Sequence, residues 1–307
     1  MQFLYFLEQL RTPFLTSLMA AVTHLGDETC FIVIALCIYW CISKKWACYV
    51  LAVSFLGTLV NQFAKIIFRV PRPWVQDPNF SIVESARAAA SGYSFPSGHT
   101  ANITCTLGAS ARACKKAWLR IAAVILILVV GFSRMYLGVH FPSDVLFSLG
   151  ISAVMVFAIY PVYRSDKNLS RRIYVSFGIL TVLSLCFVLF LAVHTWPSDI
   201  DLHNLNSARK NSFMLVGCAL GMITGIYVDK RWLNFSVAAP WWAQILKVAV
   251  GLAILLGLKS GLKPVLPAAL WSNSIRYFLV TVFATCIWPL TFPWFARGMK
   301  RKSSECQ

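Results

Sequence analysis

The sequence predicts an all-α, polytopic transmembrane helical bundle, and composition and patterning agree on it. Of the 307 residues 58% are hydrophobic and 13% charged, and the mean hydropathy is +0.69. Soluble proteins are about half apolar and about a quarter charged, so this chain has too little polar surface to cover a soluble globule. The apolar residues also fall in blocks close to the roughly 20 residues that cross a bilayer.

Residues 2–22 are apolar but carry Glu8, Arg11 and Pro13, which predicts an amphipathic helix lying in the membrane interface. They lack the basic start and small-residue cleavage site of a signal peptide. Nine spans follow, at about 28–43, 47–68, 97–113, 118–135, 141–162, 172–194, 212–229, 242–260 and 276–294. The longer polar connections are 69–96, 195–211 and 261–275. This organisation divides the chain into an N-terminal interfacial helix (1–27), a core that holds every unusual polar motif (28–165) and a C-terminal transmembrane extension (166–307). In the extension, Gly217, Gly221 and Gly225 recur every four residues. Such a face suits close helix packing, either within the chain or in a homodimer. Trp241 and Trp242 read as interface anchors.

The net charge of +17 reflects short basic clusters between apolar blocks, so nucleic acid is not an expected partner. One set of loops holds Lys44, Lys45, Arg112, Lys115, Lys116, Arg120, Arg164, Lys167, Arg171, Arg172, Lys230, Arg231, Arg297, Lys300, Arg301 and Lys302. These sixteen bases face three acids, Asp166, Asp229 and Glu305. The positive-inside rule makes this set cytoplasmic, and nine spans starting outside end inside, where the basic tail lies. The ten cysteines show no CxxC pair and no Cys/His ligand spacing. Neither a metal site nor a disulfide framework is expected.

Three segments carry chemistry. Lys65 and Arg72-Pro73 form a K-x6-R-P spacing, Pro96-Ser97-Gly98-His99 follows, and Ser133-Arg134 with His140 and Asp144 forms S-R-x5-H-x3-D. Each has an ordinary reading. A lone basic side chain at a membrane face snorkels to headgroups, Ser97 suits a helix N-cap, and His140 with Asp144 suits a capping pair. Together they describe an anion site. Three cations at one membrane face favour phosphate, which Arg forks grip well. A helix opening at Gly98 offers free N–H groups and close backbone approach. A carboxylate four residues after His140 fixes one ring nitrogen and leaves the other nucleophilic.

These eleven positions, Lys65, Arg72, Pro73, Pro96, Ser97, Gly98, His99, Ser133, Arg134, His140 and Asp144, resemble the signature of the type 2 phosphatidic acid phosphatase superfamily. The resemblance covers about residues 60 to 162, and the Tyr39-Trp40-Cys41 at the end of the first span is similar to bacterial membrane members. It implies a PAP2-type helical core and a phosphohistidine mechanism without metal or other cofactor. His140 would be the nucleophile, Asp144 its orienting carboxylate and His99 the acid to the leaving group. Lys65, Arg72, Ser97, Gly98 and Arg134 would bind phosphate. The implied protein is a multi-pass lipid phosphatase of the plasma (inner) membrane, its site facing the periplasm or cell exterior. Undecaprenyl pyrophosphate, phosphatidic acid, phosphatidylglycerophosphate and sphingoid-base phosphates all meet this description. A lipid phosphotransferase would use the same residues, and a transporter or scaffold would keep only the fold. Outside the signature, 74–95 suits a lid or headgroup pocket, or a solvated connection, and Arg87 is a further candidate there. His194, Asp199, Asp201 and His203 read as loop polarity.

Overall fold

The computed structural model describes residues 1–88, 90, 92–198 and 200–296. Asp199 and the tail residues Arg297, Lys300, Arg301, Lys302 and Glu305 lie outside them. The described residues are 81% helical, with no strand among them. Its α-helices are α1 (Gln2–Gln9), α2 (Pro13–Thr23), α3 (Glu28–Cys37), α4 (Lys44–Phe68), α5 (Pro73–Gln76), α6 (Gly98–Ala113), α7 (Ala117–Tyr136), α8 (Pro142–Arg164), α9 (Leu169–Val193), α10 (Leu202–Val228), α11 (Trp241–Val265) and α12 (Leu270–Val282).

Among the described residues, seven stretches are long and apolar enough to cross a membrane: Lys44–Gln76, Ala117–Tyr136, Pro142–Arg164, Leu169–Val193, Leu202–Leu233, Trp241–Val265 and Leu270–Ala296. The pair Pro13–Gly26 and Glu28–Ile42, bent by 54°, makes an eighth if it is one broken span. The all-α polytopic expectation holds, but the nine expected spans reduce to these seven or eight, because 28–43 counts only as part of the bent pair and 97–113 does not qualify. Two elements also depart from the prediction locally. First, residues 2–22 form two helices. Pro13 has no N–H to continue α1 and instead opens α2, whose Leu15 N–H is capped by Thr12 Oγ1 at 3.3 Å. Second, α6 has 16 residues, about 24 Å at 1.5 Å per residue, short of the ~30 Å hydrocarbon layer. Thr100, Ala101, Ile103, Thr104, Cys105, Thr106 and Ala109 are all buried, because α6 packs against α7 and α8 rather than lipid. A helix surrounded by protein needs small packing residues more than hydropathy.

The chain forms two compact units. The first comprises Met1–Ile32, Tyr49–Arg164 and Thr195–Ala208. Here α6 is the central helix. A Cβ on Gly57 of α4 would lie 2.5 Å from Cys105 Sγ, and one on Gly131 of α7 would lie 3.1 Å from Val145. Tyr49 donates to the Val156 carbonyl at 2.6 Å. The N-terminal helices strap this unit. Leu4 packs with Phe80 and Ile82, and Arg11 donates to the carbonyls of Tyr136 (3.1 Å) and Ser81 (2.8 Å).

The second unit comprises Val33–Cys48, Ser165–His194 and the described chain from Arg209 onward. Cβ atoms on Gly217, Gly221 and Gly225 of α10 would meet Ser274 O at 2.1 Å, Thr281 Cβ at 2.7 Å and Thr285 Oγ1 at 2.1 Å. The glycine face is thus taken up by α12 and the turn after it. Lys44 and Asp229 form an ion pair of 2.7 Å in the same unit.

Candidate active site

Four helix ends of the first unit converge: the C-termini of α4 and α7, and the N-termini of α6 and α8. Local sequence explains why each ends where it does. At the end of α7 the Val139 N–H bonds the Arg134 carbonyl (3.1 Å) and the Gly138 N–H bonds that of Met135 (3.0 Å). Gly138 has φ +77°. This is a Schellman cap, which demands a left-handed residue, and it delivers His140 immediately after α7. Pro142 then opens α8. Asp144 in the first turn reaches back to accept the Phe141 N–H at 2.9 Å.

His140 is buried between two partners. Its Nδ1 lies 3.3 Å from Asp144 Oδ2, and its Nε2 lies 3.0 Å from Arg72 Nη1. A guanidinium has no lone pair to give and only donates. Nε2 must therefore be the unprotonated nitrogen, and the ring proton sits on Nδ1, facing Asp144. Burial and the charges of Arg72, Arg134 and Lys65 push the His140 imidazolium pKa well below the ordinary 6.5, so the ring is held neutral, its Nε2 lone pair accepting from Arg72. Asp144 Oδ2 also accepts from Ser94 Oγ at 2.5 Å, which leaves the carboxylate little freedom to turn.

Arg72 also donates from Nε to Gly92 O (2.9 Å) and from Nη1 to Val139 O (2.7 Å). It thereby ties the 69–96 connection to the His140 loop. Lys65 donates to the Tyr93 carbonyl. Arg134 is fully buried and gives Nη1 to Thr23 Oγ1 at 2.6 Å, whereas its Nε and Nη2 are buried without a protein partner.

At the mouth of α6, Ser97 does not cap its helix; its hydroxyl pairs with Thr100 Oγ1 at 2.9 Å. The Ser97 N–H donates to the Asp144 carbonyl at 3.3 Å, joining the starts of α6 and α8. The N–H groups of Gly98, His99 and Thr100 precede the first intrahelical acceptor. A Cβ on Gly98 would meet nothing nearer than Asn61 Oδ1 at 3.7 Å, an ordinary contact, so packing does not require the glycine. His99 Nε2 lies 2.7 Å from Asp27 Oδ1, close enough for an ion pair though misaligned as a hydrogen bond.

All eight site residues named from the sequence, Lys65, Arg72, Ser97, Gly98, His99, Arg134, His140 and Asp144, thus line these converging helix ends. Arg87 does not join them. It pairs with Glu84 at 2.7 Å and stacks over Trp74 on the surface. Asp201 caps α10 through the N–H groups of His203 (2.8 Å) and Asn204 (3.2 Å), while His194 stacks on Phe190. Sequence reasoning missed Thr23, Asp27, Asn61 and Ser94. Ser94 and Asn61 carried a signal, since one lies three residues before Ser97 and the other one turn before Lys65 on α4. Thr23 and Asp27 carried none, because they come from the segment expected to lie apart in the interface. Among the described residues no group of three or more His, Cys, Asp or Glu side chains could hold a metal ion.

Comparison with known proteins agrees with this geometry. Residues 46–168 match the PAP2 superfamily, and residues 213–301 match the transmembrane extension of PAP2 superfamily phosphatases. A phosphatidylglycerophosphatase B of Bacillus subtilis is 30% identical over 158 residues, covering 46% of this chain and 73% of that protein. The undecaprenyl-diphosphatase BcrC of the same organism is 30% identical over 136 residues, covering 43% of this chain and 67% of that protein. No solved structure matches the chain. The second match falls on the C-terminal spans and the first on the segment that holds Lys65, Arg72, His99, Arg134, His140 and Asp144, and the chain belongs to the PAP2 superfamily of phosphatases.

Proposed function

We propose that this membrane phosphatase hydrolyses the phosphomonoester or pyrophosphate end of a lipid through a phosphohistidine on His140, at the non-cytoplasmic face of the plasma membrane. The observation that carries the reading is Arg134. Two of its N–H groups are buried with no protein acceptor, a costly arrangement that phosphate oxygens relieve. Gly98 supports it, since a glycine that packing does not need leaves room for an anion against the helix N-terminus.

His140 Nε2 attacks phosphorus in line, and the phosphorus–oxygen bond to the leaving group breaks. His99 protonates that oxygen as it leaves. Asp144 holds the Nδ1 proton and stabilises the positive ring. Lys65, Arg72, Arg134, Ser97 and the Gly98 N–H bind the equatorial oxygens, where charge gathers. Water then attacks the phosphohistidine, His99 takes its proton, and inorganic phosphate departs. The three cations supply the positive charge that other phosphatases draw from metal.

The lipid class rests on the membrane setting and on the relatives, named for phosphatidylglycerophosphate and undecaprenyl pyrophosphate. The facing rests on the sixteen bases of the opposite loops. Phosphate release from these two lipids in detergent with a chelator present tests the reading, with His140→Ala alongside. The wild type should turn over without added metal, and the variant should lose activity by about 10⁴-fold or more. Undiminished release by His140→Ala would sink the mechanism.

A further inference from the structure

The resting site holds a second histidine–carboxylate pair that the signature does not include. Asp27 closes the 3-10 turn His24–Gly26 and donates its N–H to the His24 carbonyl at 3.1 Å. Its Oδ1 lies 2.7 Å from His99 Nε2, and its Oδ2 lies 2.8 Å from His24 Nδ1. The turn is pressed onto α6, because a Cβ on Gly26 would sit 2.8 Å from the His99 Cβ. Asn102, three residues along α6, donates to the Gly26 carbonyl at 3.3 Å. Thr23, at the start of the same turn, receives Arg134.

We infer that Asp27 is the positioning residue of His99, fixing the ring and favouring its protonated form, with His24 anchoring the second carboxylate oxygen. The inference rests on the proposed function, in which His99 is the acid. An acid imidazole must present a proton to the leaving oxygen from one nitrogen, so its other nitrogen needs a partner that tolerates the positive ring. Asp144 plays that part for His140, and Asp27 faces His99 in the same way. Burial, Arg134 and Arg72 all act against the charge of His99, as burial and the cations do for His140, and a carboxylate offsets them. The proton balance closes within His99. It gives one proton to the leaving oxygen and takes one from the attacking water, while the Nε2 proton stays on the Asp27 side throughout.

This assignment separates substrates by leaving group. A long-chain alkyl phosphate departs as an alkoxide and needs the acid, whereas p-nitrophenyl phosphate departs as a stable phenolate and does not. Asp27→Asn should lower kcat/KM, which reports the steps through departure of the leaving group, by about ten- to hundredfold on the alkyl phosphate, part of the 10²–10⁴ that general acids contribute. The same variant should change kcat/KM on p-nitrophenyl phosphate less than about threefold, whereas kcat on that substrate also carries the water step in which His99 is the base. Asp27→Glu, which keeps the charge, should recover part of the loss on the alkyl substrate only. Equal losses on both substrates, or none on either, would overturn the assignment. His140→Ala assayed in parallel keeps the two readings apart, since it should abolish both reactions whatever Asp27 does.

Discussion

Arg72 Nη1 lies 3.0 Å from His140 Nε2 and 2.7 Å from the carbonyl of the preceding residue, Val139. One guanidinium therefore sits on the nitrogen proposed to attack phosphorus and on the backbone that carries it. An ammonium on a flexible stem cannot reproduce this planar arrangement. Arg72→Lys should lower kcat/KM by about 10²-fold on any lipid phosphate, in the range seen when one transition-state donor is lost. A steady-state assay of the purified variant checks it, and activity within about threefold of wild type would show that charge alone suffices.

Asp144 offers a sharper test because it takes three donors on one oxygen, Ser94 Oγ, the Phe141 N–H and His140 Nδ1. Asp144→Asn keeps the size of the side chain but places an amide where the ring proton should be accepted. If the ring turns its proton to Nε2, that nitrogen loses the lone pair proposed to attack phosphorus. The expected loss is about 10³–10⁴-fold in kcat, the scale of the corresponding change in serine-protease triads, with little change in melting temperature. Single-turnover measurement of phosphohistidine formation reads it directly.

The signature segments were legible in the sequence because each pairs a polar residue with the end of an apolar block, and such residues are rare in membrane spans unless used. The eight site residues could be named for that reason. Span count was less legible at α6, where Thr100, Thr104 and Thr106 face protein and lower the hydropathy that marks a lipid-facing helix. Asp27 and Thr23 were not legible at all. They sit against His99 and Arg134 only because α2 folds back onto the unit, and no local spacing encodes a contact between residues 23 and 134.

The depressed His140 pKa makes a pH prediction. Burial and the surrounding cations disfavour the charged ring, so the neutral ring persists at pH values where a free imidazole, at 6.5, has taken up a proton. The sign for stability follows from the same shift. The unfolded chain binds the proton first, so the contribution of His140 is intact above 6.5 and is lost as pH falls below it. With ¹⁵N-labelled histidine in detergent, the His140 Nε2 resonance should keep its unprotonated position as pH is lowered through 6.5. A midpoint at or above that value would contradict the electrostatic reading of the site.

The second unit gives a prediction that separates stability from chemistry. A Cβ on Gly217 would lie 2.1 Å from the Ser274 carbonyl oxygen and 2.9 Å from its carbon. The obstacle is helix backbone, which cannot swing aside as a side-chain tip does. A Cβ on Gly257 of α11, in the same unit, would meet nothing within 4 Å, so the two glycines should differ. Gly217→Ala must push α10 and α12 apart, at about 1–3 kcal/mol for an overpacked interior, whereas Gly257→Ala should cost little. Both glycines lie in the unit that lacks His140, so kcat per folded molecule should hold while the melting temperature in detergent falls further for Gly217→Ala. Equal melting temperatures for the two variants would mean that the α10–α12 contact is looser than its geometry indicates.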